Sequence, residues 1–122
     1  MDEVVGHTWQ FVDVGGEPVG DVPDRSRPTL TFELDGQVYG SGGVNRLRGT
    51  WSYADGRLTF GPVATTLMAG TPEHLARERA VLDLLTGALT VEVRDGALLL
   101  TDADARRSRL VVAPGTATAG VV

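Results

Sequence analysis

Along most of this chain apolar and polar residues alternate with a period of two, the mark of strands with one buried face. Leu30, Phe32 and Leu34 alternate with Thr29, Thr31 and Glu33, and Val38 and Tyr39 begin a return after Asp35-Gly36. Trp51 and Tyr53 lead into Asp55-Gly56, and Leu58 and Phe60 lead out. Leu89, Val91 and Val93 lead into Asp95-Gly96, and 98–100 lead out. Asp-Gly suits tight hairpins because both central residues of a type I′ turn need positive φ. Three hairpins predict six strands. Two more bracket them. Residues 7–14 carry Trp9 and Phe11 on one face and break at Gly15-Gly16-Glu17-Pro18, and 109–113 form a short β-branched run before Pro114.

One segment changes period. Thr71 can cap a helix, Pro72 suits its first turn, Glu73 puts negative charge at the positive end of the helix dipole, and Gly87 supplies a stop. A helix is therefore expected near residues 72–86. Leu75, Val81, Leu82 and Leu85 share one side of its wheel, with Glu78 in the middle of that apolar arc. A buried carboxylate is costly unless it is paired or hydrogen-bonded. Glu78 is read as a structural anchor before a catalytic acid. Its candidate partners are backbone amides of the glycine-rich loop 40–49, Asn45, Arg46, Arg48 or the Trp51 indole.

The expected fold class is mainly β (α+β): a curled antiparallel sheet or barrel-like sandwich of about eight strands with one helix. Residues 1–6 read as an N-terminal segment, 7–113 as the domain and 114–122 as a flexible tail. Residues 21–27, rich in Pro, Asp and Arg, read as an exposed loop.

Composition narrows the function classes. At 122 residues and 42% apolar content the chain fits one domain with a real core. All eleven cations are Arg, set against sixteen acidic residues for a net charge of −5, which disfavours nonspecific nucleic-acid or anionic-membrane binding. The absence of cysteine removes disulfides, thiolate zinc sites and thiol nucleophiles. The acidic N-terminus lacks the basic start and apolar stretch of a secretory signal, and no apolar run approaches the ~20 residues of a membrane-spanning helix. A cytoplasmic location is expected for the chain as it stands, and an envelope location if a leader has been removed.

Candidate chemistry is sparse. The loop 40–49 holds Asn45, the only Asn in the chain, but a phosphate cradle would need a strand-to-helix setting and usually a Lys. Its glycines read instead as a bulge or tight corner, with Asn45 satisfying backbone groups. His7 and His74 lie far apart, and zinc catalysis would need a further carboxylate. Gly40-Ser41-Gly42 lacks the Gly-x-Ser-x-Gly elbow. Asp102/Asp104 and Asp21/Asp24 fall in expected turns, where solvated carboxylates are the default. No catalytic residue, cofactor or metal is expected.

The motif order is nonetheless specific. Pro28-Thr29-Leu30-Thr31-Phe32, then Gly40-Ser41-Gly42-Gly43-Val44-Asn45-Arg46-Leu47-Arg48-Gly49-Thr50-Trp51, resembles the META/HslJ-type domain, where a strand leads into a Gly-Cys-Asn motif. Thr65-Thr66-Leu67-Met68-Ala69-Gly70 is similar to its second motif, and Glu78, Leu82 or Leu85, and 89–112 follow in the family's order. Trp9 matches the Trp that opens the domain. Where the family pattern has cysteines this chain has Val44 and Gly70, so a cysteine-dependent role cannot operate. A larger residue facing a missing side chain would keep the local volume. The resemblance implies the fold, a Glu78 anchor and a stress-related role, with Asn45, Arg46, Arg48, Trp51, Thr66, Met68 and Glu78 as binding or structural motif residues. The function expected is a non-enzymatic domain binding a protein or envelope component. The alternative is a small-molecule-binding β module with a pocket lined by Trp9, Phe32, Trp51 and Phe60, and a hydrolytic enzyme comes third.

Overall fold

The alternation folds into a closed barrel. A computed structural model describes residues 1–114; of the tail expected at 114–122, all but Pro114 lies outside the described residues. The strands are β1 (Thr8–Val14), β2 (Glu17–Pro18), β3 (Thr29–Phe32), β4 (Gln37–Ser41), β5 (Arg46–Ala54), β6 (Arg57–Phe60), β7 (Ala64–Thr65), β8 (Leu89–Arg94), β9 (Ala97–Thr101) and β10 (Arg107–Val112), with helix α1 (Pro72–Leu84) between β7 and β8. Eight of them follow one another as an antiparallel meander, β1-β3-β4-β5-β6-β8-β9-β10, and β10 returns to pair with β1. The register of that closure sets Trp9 opposite Val112 and Phe11 opposite Leu110. Of the two alternatives read from the sequence, the sheet therefore resolves into a barrel. Closure leaves these eight strands without a free edge. The short β2 and β7 lie outside the ring, on β1 and β5.

An eight-stranded barrel is just wide enough for its own side chains to fill it. Here Trp9, Phe11, Leu30, Phe32, Leu58 and Leu98 are all 2% exposed or less. This corrects the expected aromatic-lined pocket. Trp9 and Phe32 are core, and Trp51 and Phe60 pack on Phe32 with ring centroids 6.1 and 6.2 Å away.

Strand direction places all three Asp-Gly hairpins at one end of the barrel and α1 at the other. Asp55 and Gly56 (φ 55° and 76°) and Asp95 and Gly96 (φ 53° and 79°) make the expected type I′ turns. The first hairpin differs. Only Gly36 has positive φ there, Gly36 N–H bonds the Glu33 carbonyl, and Glu33 N–H bonds Gln37 across a three-residue loop. That is the type I turn plus left-handed glycine of the longer hairpin class. A fourth tight turn, Gly15-Gly16, folds β2 back so that Val14 faces Glu17. At the hairpin end residues 1–6 pack on the barrel mouth, where Val4 is 1% exposed and its carbonyl accepts the Trp9 indole N–H at 2.8 Å.

At the opposite end α1 covers the barrel. Thr71 Oγ1 accepts from His74 N–H at 3.2 Å as the N-cap, with Pro72 in the first turn. The helix stops before Gly87. Thr86 closes it, its N–H and hydroxyl both bonding the Asp83 carbonyl. Val81, Leu84 and Leu85 enter the core with the Glu78 carboxylate one turn earlier, while Leu75 and Leu82 are half-buried. In the loop expected to be exposed, a 3-10 turn (Asp24–Ser26) buries Ser26, and Arg27 reaches back to the Phe11 and Gly20 carbonyls. Among the described residues no helix is long and apolar enough to cross a membrane.

Candidate functional site

Three segments meet where α1 covers the barrel: the β4–β5 loop (residues 42–45), the stretch after β7 (66–70) and the middle of α1. Glu78, 6% exposed, projects from the helix into that junction. Its Oε1 accepts from the backbone N–H of Val44 (3.1 Å) and Asn45 (2.5 Å), and its Oε2 accepts from Asn45 Nδ2 at 2.7 Å. Asn45 passes the connection on. Its Oδ1 accepts from Thr66 Oγ1 at 2.9 Å and Met68 N–H at 2.5 Å, while Thr66 Oγ1 accepts from Arg46 N–H at 3.0 Å. The bond directions form one consistent chain, and every heteroatom of the Asn45 and Glu78 side chains has a partner. Hydrogen bonds to an ionised group are the stronger kind, and a satisfied buried network fixes one geometry.

The glycines make this approach close. A Cβ on Gly42 would overlap Glu78 Cγ and lie 2.8 Å from its Oε1, and one on Gly70 would lie 2.6 Å from Val44 Cγ2. The carboxylate and the valine occupy the space these glycines leave. Val44 and Gly70, the two positions at which the resemblance would have placed cysteines, are thus in contact, and the larger side chain fills the space beside the glycine. Among the described residues no cation pairs with Glu78. Arg46 contributes only its backbone to the cluster, and Arg48 and Trp51 are outside it. The Trp51 indole donates to the Glu33 carbonyl at 2.9 Å, toward the hairpin end.

A second feature lies on the outer wall. Arg46 and Arg48 are exposed on the outward face of β5, with Leu47 buried between them. Arg48 is in register with Tyr39 on β4 and Ala64 on β7; Arg46 is in register with Ser41. Together with Thr65 and Thr66 they line an open groove of about 350 Å³. The Arg48 guanidinium lies 5.9 Å from the Tyr39 ring centroid, and the Tyr39 hydroxyl donates to Glu33 Oε1 at 2.7 Å. That hydrogen bond to a carboxylate, foremost, raises the Tyr39 pKa above its usual 10.0, with partial burial and the Glu33 charge adding to it and Arg48 opposing. Among the described residues neither Arg46 nor Arg48 has a carboxylate partner. Beyond Thr66 the chain displays Leu67 (94% exposed) and Met68 (53%).

The seven candidate motif residues thus separate. Asn45, Thr66, Met68 and Glu78 form the cluster, Arg46 and Arg48 the groove, and Trp51 neither. Tyr39 is absent from the sequence-derived set. The outward spacing of Arg46 and Arg48 carries a signal for it, but only the β4–β5 register puts Tyr39 beside them. Elsewhere, His7 meets the edge of Trp9 while His74 sits in the first turn of α1. Among the described residues no three His, Asp or Glu side chains gather in a metal-binding group. Asp102 folds the β9–β10 turn. Backbone N–H bonds, Arg106's first, hold its carboxyl below the usual value. A second groove, about 420 Å³, separates α1 from residues 60–65.

The META-domain family model matches residues 2–114. Solved structures share the fold at low identity. One protein known from an NMR structure is 21% identical, with a TM-score of 0.73 over 91% of this chain and 92% of its own. Another, from Burkholderia xenovorans, is 22% identical, with a TM-score of 0.72 over 92% and 85%. The crystal structure of a DUF4847 family protein from Bacteroides vulgatus is 18% identical, with a TM-score of 0.61 over 89% and 93%. No curated protein matches the sequence.

Proposed function

This chain belongs to the META-domain family, and from that premise we propose that it is a non-catalytic binding module serving a stress response, its partner a protein or envelope component. One observation carries the reading. The polar groups buried at the motif junction bond to one another, whereas two of the motif residues, Arg46 and Arg48, hold their side chains open to a partner on the outer wall of β4, β5 and β7. Both Glu78 oxygens accept from protein N–H groups, which leaves no carboxylate oxygen aimed at a substrate. A general acid or base must reach the proton it transfers. The barrel interior is occupied by its own side chains. The outer wall, by contrast, offers two guanidinium groups with no carboxylate partner among the described residues, an oriented Tyr39 and the exposed Leu67 and Met68.

A photo-reactive amino acid at Leu67 should yield a discrete cross-linked adduct in the producing cell, lost in an Arg46→Glu/Arg48→Glu variant that still folds. The same probe at Ala54, at the hairpin end, should give none. Equal adducts from both positions would sink the binding-module reading. Deleting the gene should lower survival of heat or antibiotic exposure; unchanged survival removes the stress role.

A small-molecule site is the second reading, favoured by the groove's volume, which falls in the range of ligand pockets. It would lie on the outer wall instead of among the aromatics. A metabolite and antibiotic thermal-shift screen tests it, since a ligand that binds only the folded state raises the midpoint.

A further inference from the structure

We propose that the groove over β5 holds an acidic segment of a partner protein in extended conformation, with carboxylates at alternate positions meeting Arg46 and Arg48. The inference rests on the binding-module reading and names its partner by chemistry. Arg46 and Arg48 leave the same face of one strand two positions apart. A strand rises about 3.3 Å per residue, so their Cα atoms are spaced about 6.6 Å apart, the repeat of alternate side chains in an extended peptide. Guanidinium groups pair carboxylates in bidentate geometry, so two Arg side chains with no carboxylate partner among the described residues give this wall a local positive charge, complementary to carboxylates, on a chain that is acidic as a whole.

The site is partly organised in advance. Glu33 fixes the Tyr39 hydroxyl, and the Tyr39 ring lies under Arg48. Holding a long side chain before binding lowers the entropy cost of association. Arg48 is thereby drawn toward β4, while Arg46 makes no such contact, so the two charges are presented side by side and do not converge on one point. A single phosphate is better held by converging donors or a backbone nest. Leu67 and Met68, past Thr66 at one end of the groove, supply apolar surface for a neighbouring side chain of the same segment.

The test uses synthetic peptides and the intact chain. The probe is acetyl-Leu-Glu-Val-Glu-Gly-amide, compared with its isomer acetyl-Leu-Val-Glu-Glu-Gly-amide and with a Gln-for-Glu version. Amide chemical shifts of the 15N-labelled protein report the place of binding, and titration reports affinity. The spaced peptide should shift Tyr39, Arg46, Arg48 and Thr66, bind at least about fivefold tighter than the adjacent-carboxylate isomer, and weaken as salt screens the charges. Arg46→Gln and Arg48→Gln should each weaken it about five- to tenfold at unchanged thermal midpoint. Equal binding of isomer and spaced peptide, shifts elsewhere on the barrel, or indifference to both substitutions would overturn the proposal. So would binding of inorganic phosphate or phosphatidylglycerol vesicles at this wall without the peptide. A Leu67 adduct in cells that persists while no acidic peptide binds would leave the binding module standing and remove only the acidic partner; loss of both results would remove both.

Discussion

Exchanging the polar ends of Glu78 and Asn45 tests whether the buried cluster holds the fold together. In Glu78→Gln, an amide oxygen kept on the Val44 and Asn45 N–H groups turns the new NH2 toward Asn45 Nδ2, donor against donor. Asn45 cannot flip to relieve this, because its Oδ1 already accepts from Thr66 and Met68. One hydrogen bond to a charged group is lost, worth about 1.5–3 kcal/mol, and a buried donor is left facing a donor. The expected cost is about 2–3 kcal/mol. Asn45→Asp is worse, because two carboxylate oxygens then meet in a buried site; about 3–5 kcal/mol is the scale for a broken buried charge arrangement. The double variant Glu78→Gln/Asn45→Asp reverses the bond. The new amide on the helix donates to the new carboxylate on the loop, whose other oxygen keeps its Thr66 and Met68 donors. A single negative charge again faces N–H and O–H groups only. The two changes should therefore offset one another by more than about 2 kcal/mol, against an error of about 0.5 kcal/mol for independent sites. Urea unfolding followed by the fluorescence of Trp9 and Trp51 measures all four proteins. Additive single and double costs would refute the reasoning, since side chains that exchange a bond cannot be energetically independent.

The glycines make a second set of expectations. Gly42→Ala should cost at least about 2 kcal/mol because its Cβ would overlap Glu78, and Gly70→Ala about 1–2 kcal/mol, recovered in part when Val44→Ala is added; urea midpoints decide both. In the turns, Asp55→Ala and Asp95→Ala should each cost about 1 kcal/mol, since both positions have positive φ, whereas Asp→Asn there should be nearly neutral. Ultraviolet titration of Tyr39 in a Tyr53→Phe background should show ionisation above the usual tyrosine value, moving down in Glu33→Gln. Because the folded state holds that proton more tightly, the Tyr39 contribution is complete below pH about 10 and is lost as pH rises through the folded value. Asp102 has the opposite sign: its contribution is present above the ordinary carboxyl value and disappears as pH falls through the depressed one, an acid limb that Asp102→Asn should reduce.

What can be read in the sequence is local chemistry. Asp55-Gly56 and Asp95-Gly96 announce themselves because the turn's dihedrals demand such residues. Asp35-Gly36 looks identical but serves a longer loop, since loop length is set by where the strands pair and not by the dipeptide. Gly15-Gly16 carries the same two-residue signal, yet Pro18 just after it reads as a break; a proline on an outer edge strand loses no required hydrogen bond. Glu78 is legible as a contradiction in an apolar arc. Its partners are only partly legible, since Arg46 and Arg48 are equally near in sequence and only strand alternation turns them outward. The β1–β10 closure joins residues about a hundred positions apart, beyond the reach of any local pattern.

The residues of the junction and those of the outer wall have different physical duties. Asn45, Thr66 and Glu78 direct their polar atoms at one another or at backbone, and Gly42 and Gly70 give the space that lets them do so. These positions tie a helix, a loop and a strand end into one unit, and they would do so whatever the barrel bound. Arg46 enters the fold through its backbone alone, and Arg48 through its backbone and a guanidinium contact with the exposed Tyr39 ring, in the β4–β5 and β5–β7 pairings and the Arg46 N–H bond to Thr66. Their side chains can be exchanged without disturbing a core contact, since surface changes remote from caps, cavities and strained backbone usually alter stability by less than about 0.5 kcal/mol. The junction is therefore tied into the fold by its side chains, and the wall is not. The outward residues of β4 and β5 can therefore be varied to test the partner proposed above while the Glu78 cluster stays intact.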